Sequence, residues 1–597
     1  MKKKRDSMRN LRQAVRLVWD SARGWTALQA LTIAAQGALP VATLFLTRRV
    51  VDAAGAFLAQ APGGRDARDL LALAPGVVAV VLAGWACRAL SALIADAQSV
   101  AVSDHVQDAL QRKSAEVDLA YYETSSYHDQ MRLAQSEAMS RPTSIVRNLV
   151  QLGSGAVVLG SVAGVLWVSQ GLLLPILLAA ALPGTASRIW NSRRWHRWRM
   201  AQSASERYAG YLHLLLTAVP FAKEIRLSGN GDELRRQHRE LRGTLRRNRL
   251  SLTWRRAGVE LAADALSMAA MGAGLGLAYL RMQGEAMTLG DLALLYGGFQ
   301  RGKAAFSGVL GSLASLYEDS LFISHFYVFL GLPRLVRAPE HPKPMPRPIR
   351  QGIRLEHVRF RYPGMDRDVL SDIDLTIRAG EHVALVGENG SGKTTLVKLL
   401  CRLYDPTGGR ILIDGTDLRE FAPEDLRASF STLFQDFVRY QMTAGENVRM
   451  GDVSIPPGDP RLAEAARQAG AAGLIESLPR GYDTPLGRLF EGGSELSEGQ
   501  WQRVALARAF ARAAPFVMLD EPTSSLDAKA ERQLLESVAK IFEGRTSLVV
   551  SHRFTTVQSA DRLLVLSGGR IVESGTHREL LQANGAYAGL FALHSRD

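Results

Sequence analysis

Cysteine is nearly absent, with Cys87 and Cys401 the only two. One lies in an apolar run and the other on a stretch of helical spacing. They supply neither a disulfide framework nor a metal-ligand spacing, so nothing places a folded domain in an oxidising compartment. Acid is short relative to base, with 58 Asp and Glu against 72 Lys and Arg. Such an excess can mark a nucleic-acid partner, but much of it flanks long apolar runs, in MKKKR at the start and in SRRWHRWR (Ser192–Arg199). That is the positive-inside pattern of a membrane protein, and it excludes nucleic acid as the partner. No cysteine precedes the first apolar run, near Trp25. A basic start before an apolar run can be a signal peptide. The run Trp25–Thr47 is too long for one and is followed by others, so it is read as a retained membrane helix.

At 597 residues the chain is too long for one core. Hydrophobic residues reach 47% beside 22% charged, and the average hides a split near residue 330. Six candidate spans lie before it, approximately Trp25–Thr47, Leu70–Ala95, Ile145–Ser169, Gly171–Ile189, Gly258–Leu280 and Leu289–Leu310. Each is near the roughly 20 apolar residues that a bilayer demands. The loops after the second and fourth are long and basic and share a side with the amino terminus, which assigns that side to the cytosol. Helical spacing continues past the membrane, as in RRNRLSLTWRRAG, so the spans are expected to project into the cytosol. The proline-rich stretch Pro333–Pro348 has no core of its own and reads as an extended connector.

Ionisable residues inside spans are costly and by default functional. Arg301 and Lys303 fall roughly 20 Å below the outer end of the sixth span at about 1.5 Å per residue. Glu260 and Asp264 lie one turn apart at a similar level of the fifth, and Arg88 near the same depth of the second. Either these charges pair with one another and snorkel, or Arg301 or Lys303 faces a cavity and holds an anionic group of a cargo.

Beyond the connector the chain reads as soluble α/β. The stretch GENGSGKTT comprises Gly387, Glu388, Asn389, Gly390, Ser391, Gly392, Lys393, Thr394 and Thr395. It follows the strand-like HVALVG and precedes the helix-like TTLVKLLCRLY, the context a phosphate-binding loop requires. Its backbone N–H groups and the helix N-terminus suit phosphate, Lys393 reaches the terminal oxygens, and Thr394 is placed for Mg²⁺. FVMLDEP (Phe516–Pro522) is a buried-strand run ending in two acids.

The ordered set resembles the ATP-binding cassette exporters: six spans with two long excursions, then this loop, LSEGQ (Leu496–Gln500), the acids, SSLD (Ser524–Asp527) and SLVVSHR. The resemblance covers nearly the whole chain and is most specific over residues 353–597. It implies a multi-domain chain, with an all-α six-helix transmembrane domain (1–332), a linker (333–352) and an α/β P-loop nucleotide-binding domain (353–597). Its cofactors are ATP and Mg²⁺. It implies that Tyr362 stacks on adenine and that Gln435 contacts Mg²⁺ and the attacking water. Asp520 holds Mg²⁺ and Glu521 is the general base. His552 contacts the γ-phosphate, and Asp527 crosses the dimer interface. Ser497, Gly499 and Gln500 grip the nucleotide of a partner subunit. Coupling helices are expected within Ala120–Gln130 and Phe221–Asn230.

Glu498 departs from the family pattern, in which glycine is commonest. A carboxylate facing the γ-phosphate would repel it, so Glu498 is expected to point aside. The implied function is ATP-driven export of a peptide, drug, lipid or secondary metabolite by a multi-pass protein of a bacterial inner membrane, with the nucleotide domain cytosolic. A complete set of catalytic parts favours a homodimer of half-transporters. An importer on the same fold, or an ATP-gated channel, is the alternative.

Overall fold

The computed structural model describes residues 2–59, 67–124, 131, 141–170, 173–281, 288–523, 531, 542–551, 553 and 557–594. Two compact units divide it: Met1–Ala115 with Gln130–Gly331, and Glu116–Asp129 with Leu332–Asp597.

The first unit is helical. Its elements are α1 (Lys2–Ser21), α2 (Arg23–Gln36), α3 (Ala38–Ala59), α4 (Arg68–Glu116), α6 (Arg141–Gln170), α7 (Leu173–Thr217), α8 (Ala222–Ser228), α9 (Gly231–Arg281) and α10 (Leu289–Leu330), with α5 (Leu119–Tyr122) in the second unit. The 49 residues of α4, 45 of α7 and 51 of α9 each exceed twice the length a bilayer requires, so these helices continue past their apolar runs. The first expected span is broken at Gly37, where a Cβ would meet Val157 Cγ1 at 2.5 Å. Glycine there lets the α2–α3 junction approach α6. Among the described residues, Arg23–Ala59, Arg68–Glu116 and Arg141–Val168 are long and apolar enough to cross a membrane.

One buried charge in this unit is fully met. Asp319 on α10 is buried and accepts from Arg141 (3.0 Å), Ser144 (3.0 Å) and Asn148 (2.9 Å) of α6. Three donors satisfy a carboxylate that would otherwise be expensive to bury. An apolar cluster of Leu44, Val162, Leu166, Met271, Leu295 and Phe299 joins α3, α6, α9 and α10.

The second unit carries two sheets. An antiparallel sheet has the order β2 (Leu370–Arg378), β1 (Gly352–Phe360), β4 (Gly408–Ile413), β5 (Thr416–Asp417). The six-stranded sheet runs β10 (Arg570–Gly575), β9 (Arg562–Ser567), β3 (His382–Val386), β8 (Thr546–Val550), β7 (Phe516–Asp520), β6 (Phe430–Leu433). All its pairings are parallel except β9 with β10. β7 and β8 are buried throughout, as the continuous apolar runs of a covered parallel sheet predict. Helix α11 (Lys393–Leu400) follows β3, and α12 (Pro423–Ala428) precedes β6. The stretch Arg439–Ser494 has the helical spacing of a mainly helical segment, but it holds short helices, α13 (Ala444–Arg449), α14 (Pro460–Gln468) and α15 (Ala472–Glu476), with a 3₁₀ turn. Its prolines and positive-φ glycines, among them Gly458, Gly470 and Gly481, interrupt it. The proline-rich connector carries no helix and no strand beyond an isolated bridge at Lys343, and it is tied down. Lys343 N donates to Glu420 O at 2.9 Å, and Arg402 donates to Arg337 O at 2.9 Å.

Candidate functional site

Ligands of open α/β sheets sit beyond the carboxyl ends of the strands, and the conspicuous residues of this chain collect there. β3 delivers the loop Gly387–Gly392, which opens α11. A Cβ on Gly387 would lie 2.2 Å from Leu566 O, and Gly392 has φ +109. Both positions exclude other residues, and they fix a tight turn whose N–H groups precede a helix. The Lys393 ammonium is held over that turn, donating to Gly387 O (2.8 Å) and Glu388 O (2.9 Å). Burial lowers its pKa, although Glu521 and Asp520 work in the opposite sense. Ser391 Oγ is buried without a hydrogen-bond partner among the described residues, an orphaned donor on the inner wall of the turn.

β7 brings the acids. Asp520 is 2% exposed, and its Oδ2 accepts from Thr394 Oγ1 at 2.8 Å. Burial raises the pKa of this carboxyl, while the Thr394 bond and Lys393 pull it down. A hydroxyl and a buried carboxylate in contact at a helix start are hard oxygen donors of the kind Mg²⁺ takes, so the residues present fit that ion. Glu521 adopts φ +51, a left-handed conformation rare for a non-glycine. Two backbone bonds hold it: Glu521 N donates to Val550 O at 2.8 Å, and Gln502 Nε2 donates to Glu521 O at 3.0 Å. Gln435, two residues beyond β6, donates to Glu521 Oε2 at 3.0 Å. Lys393, Thr394, Gln435, Asp520 and Glu521 thus form one connected group. His552 and Asp527 lie outside the described residues.

Tyr362 flanks the loop, its phenol bonded to Thr395 Oγ1 at 3.0 Å. Its ring meets Phe360 and Tyr404 edge-on at 4.9 Å and 5.4 Å, with Lys398 Nζ 5.6 Å from its centroid. The Ser497 turn is separate. Ser497 caps α16 (Glu498–Ala511) in a capping box with Gln500, and it is exposed. Among the described residues no hydrogen bond or ion pair joins Ser497, Gly499 or Gln500 to the glycine loop. Glu498 Oε1 accepts from Arg439 at 2.9 Å, so its carboxylate is turned into a side-chain pair.

Sequence reasoning missed the partners of the first excursion. Glu123, which follows α5, accepts from Lys398 Nζ at 2.7 Å and from the Tyr404 hydroxyl, and Ala120 is buried in the core beneath the loop. Asp118 accepts from the backbone of Leu335 (2.5 Å) and Val336 (3.3 Å). Residues 125–130 of the expected coupling stretch lie outside the described residues. The other stretch is α8 with the 3₁₀ turn Val219–Phe221 before it, and Val219 and Leu227 there are 85% and 87% exposed.

In the first unit, Lys303 Nζ bonds Asp264 at 3.0 Å. Arg301 instead lines a cavity of about 730 Å³ together with Arg88, Gln36, Gln151 and Trp85.

Comparison with known proteins agrees with this geometry. The ABC transporter family model matches residues 370–524. An ATP-dependent lipid A-core flippase of Alkalilimnicola ehrlichii is 46% identical over 256 residues, 42% of this chain and 43% of that protein. The protein of the same description from Bordetella pertussis is 32% identical over 443 residues, 74% of this chain and 69% of that one. This chain spans about half the length, or less, of several such relatives, from 40% to 51%. The structure of a bacterial Atm1-family ABC exporter with ATP bound superposes with a TM-score of 0.77, at 23% identity, over 96% of this chain and 98% of that one, a likeness of fold. The chain belongs to the ABC transporter family, with the exporter-type fold of a helical unit followed by a nucleotide-binding unit.

Proposed function

We propose that two copies of this chain form an ATP-hydrolysing exporter that moves an amphipathic, anionic lipid out of the cytosolic leaflet of a bacterial inner membrane. The observation that carries the ATPase reading is the connected group at the strand ends. The glycine loop and Lys393 bind the terminal phosphates, with Glu388, Asn389, Gly390 and Ser391 in the cradle. Thr394 and Asp520 hold Mg²⁺, which when bound neutralises charge on the β and γ oxygens. Glu521, fixed from both sides of its backbone and met by Gln435, takes the proton of the attacking water. Tyr362 supplies the adenine platform, and His552 and Asp527 complete the site as γ-phosphate contact and interface residue.

Dimerisation is supported by what one copy leaves unused. Ser497, Gly499 and Gln500 are a helix start suited to phosphate, with Ser497 exposed and, among the described residues, no hydrogen bond or ion pair to the glycine loop of their own copy. The second excursion presents Val219 and Leu227 bare. A second copy related by a twofold axis would use both. Because every catalytic part is present, a homodimer is the simplest assembly.

The lipid reading draws on the relatives described as lipid A-core flippases and on the cavity. Its walls are largely apolar with Gln36, Thr43, Gln151 and Ser154, and among the described residues neither Arg88 nor Arg301 meets a carboxylate. Arg301 donates to Pro40 O at 3.4 Å. An acidic head group beside an apolar tail matches such walls. Lys303, paired with Asp264, serves packing rather than cargo. The amino terminus, the long excursions and the nucleotide-binding unit are placed in the cytosol. Purified full chain should hydrolyse ATP faster in the presence of an anionic lipid, and a rate indifferent to every lipid added would remove the cargo reading.

A further inference from the structure

The Trp and Arg residues just beyond the fourth span are more than a topology signal. On α7, Trp190, Arg194, Trp195 and Trp198 follow directly on the apolar run that ends at Ile189. On the antiparallel α9, Asn248, Arg249, Ser251 and Arg255 precede the run that begins at Gly258. The two sets enclose a groove of about 600 Å³ lined by Trp190, Arg194, Trp198, Asn248, Ser251 and Arg255.

Three features distinguish this groove from an ordinary solvated basic face. First, its cations lack acids. Elsewhere on α9 arginines find carboxylates, Arg256 with Glu260 at 2.9 Å and Arg236 with Glu233 at 2.7 Å. Among the described residues the groove's Arg194 and Arg255 find none. Second, one of these guanidinium groups is held on an indole face, Arg194 at 5.3 Å from the Trp190 centroid. Such stacking fixes a guanidinium while leaving its N–H edge free to donate. Third, the indole N–H of Trp198 is buried and has no hydrogen-bond partner among the described residues.

Depth selects the occupant. The groove residues lie about three to ten positions from Gly258, or roughly 5–15 Å along the axis at about 1.5 Å per residue. That is the band of head groups outside the hydrocarbon, where tryptophan and arginine gather. From this we infer that the α7–α9 groove is a binding site for the phosphate head group of an anionic phospholipid of the cytosolic leaflet. Arg194 and Arg255 grip the phosphate, Trp198 donates to it, and Trp190 lies against the glycerol region. The inference rests on the orientation proposed above. It concerns a resident lipid at the helix surface, distinct from cargo in the Arg88–Arg301 cavity.

The test uses purified full chain, freed of lipid in neutral detergent, and native mass spectrometry with phosphatidylglycerol or phosphatidylcholine. The parent should retain phosphatidylglycerol in preference to phosphatidylcholine. Arg194→Gln/Arg255→Gln should weaken that retention roughly 30-fold, since each basic group near the surface is worth about 1 kcal/mol. Trp198→Phe should weaken it less, and Arg236→Gln not at all. Inorganic phosphate should fail to displace the lipid. Photoactivatable phosphatidylglycerol should cross-link the parent within residues 190–202 or 248–255, a readout that needs no variant. Equal retention of both lipids, an unchanged double variant, displacement by phosphate alone, or cross-links confined elsewhere would each overturn the site. Cross-linking from lipid confined to the other leaflet would instead overturn the orientation. Absent ATP hydrolysis would strike the exporter reading and leave the lipid measurement intact.

Discussion

Glu498 and Arg439 are joined at 2.9 Å, and the pair settles where a misplaced carboxylate goes. The side chain stands one residue after Ser497, at the start of α16, where a free negative charge would oppose an incoming phosphate. Arg439 draws it aside. Both groups are substantially exposed, so the pair adds little stability, typically within about 1 kcal/mol. Its consequence is electrostatic. Arg439→Gln should lower kcat for ATP several-fold, and Glu498→Gly in the same chain should restore it. ATPase rates of the two single variants and the double variant decide the point. An Arg439→Gln enzyme as fast as the parent contradicts this role.

Glu521→Gln keeps the backbone held by Val550 and Gln502 and removes the base. ATP should still bind and should trap the closed dimer, while steady-state hydrolysis falls by a factor on the order of 10² or more. Equilibrium binding and phosphate release, measured on the same sample, separate the two effects. Near-parental turnover would move the role of base to another residue.

Glu123 ties the first excursion to the helix behind the glycine loop. Burial lowers the Lys398 pKa, but the bonds to Glu123 and the interaction with Tyr362 outweigh it, and the net shift is upward. A raised folded pKa contributes stability that is complete below the unfolded value and is lost as pH climbs through the folded one. The stability difference between the parent and Glu123→Gln should therefore be flat across neutral pH and shrink only above about 10. Thermal unfolding over a pH series checks this. A difference that grows on the alkaline side would reverse the assignment. In transport terms, Glu123→Ala should preserve basal hydrolysis within about 2-fold and lose stimulation by cargo.

Arg301 and Lys303, two residues apart, separate into different roles. Arg301→Gln should abolish lipid stimulation of ATPase with basal rate and expression intact. Lys303→Gln, which leaves Asp264 unpaired, should change stability more than stimulation. Equal loss of stimulation from both variants would mean that the charges act together as packing.

The nucleotide-binding half was legible because its chemistry is local. Gly387 to Thr395 fixes a loop within nine positions, and FVMLDEP puts Asp520 and Glu521 at a strand end by itself. Buried strands followed from continuous apolar runs such as FVML and SLVV. Interactions between distant segments were not legible. Glu123 with Lys398 spans 275 positions, Arg439 with Glu498 spans 59, and no periodicity encodes either. In the helical unit, spacing placed the long helices but not the break at Gly37, which depends on the approach of Val157. Depth alone suggested that Arg301 and Lys303 were equivalent. Only the geometry distinguishes the one paired with Asp264 from the one facing a cavity.

The central claim, that ATP hydrolysis at the Glu521 site drives an anionic lipid outward, meets its most direct test in proteoliposomes of the full chain with the nucleotide-binding units outside. A fluorescent anionic lipid placed in the outer leaflet should move to the inner leaflet, protected from an external quencher, only when ATP and Mg²⁺ are present and only with Glu521 intact. Movement without ATP, movement in the opposite sense, or equal movement by Glu521→Gln would contradict the account.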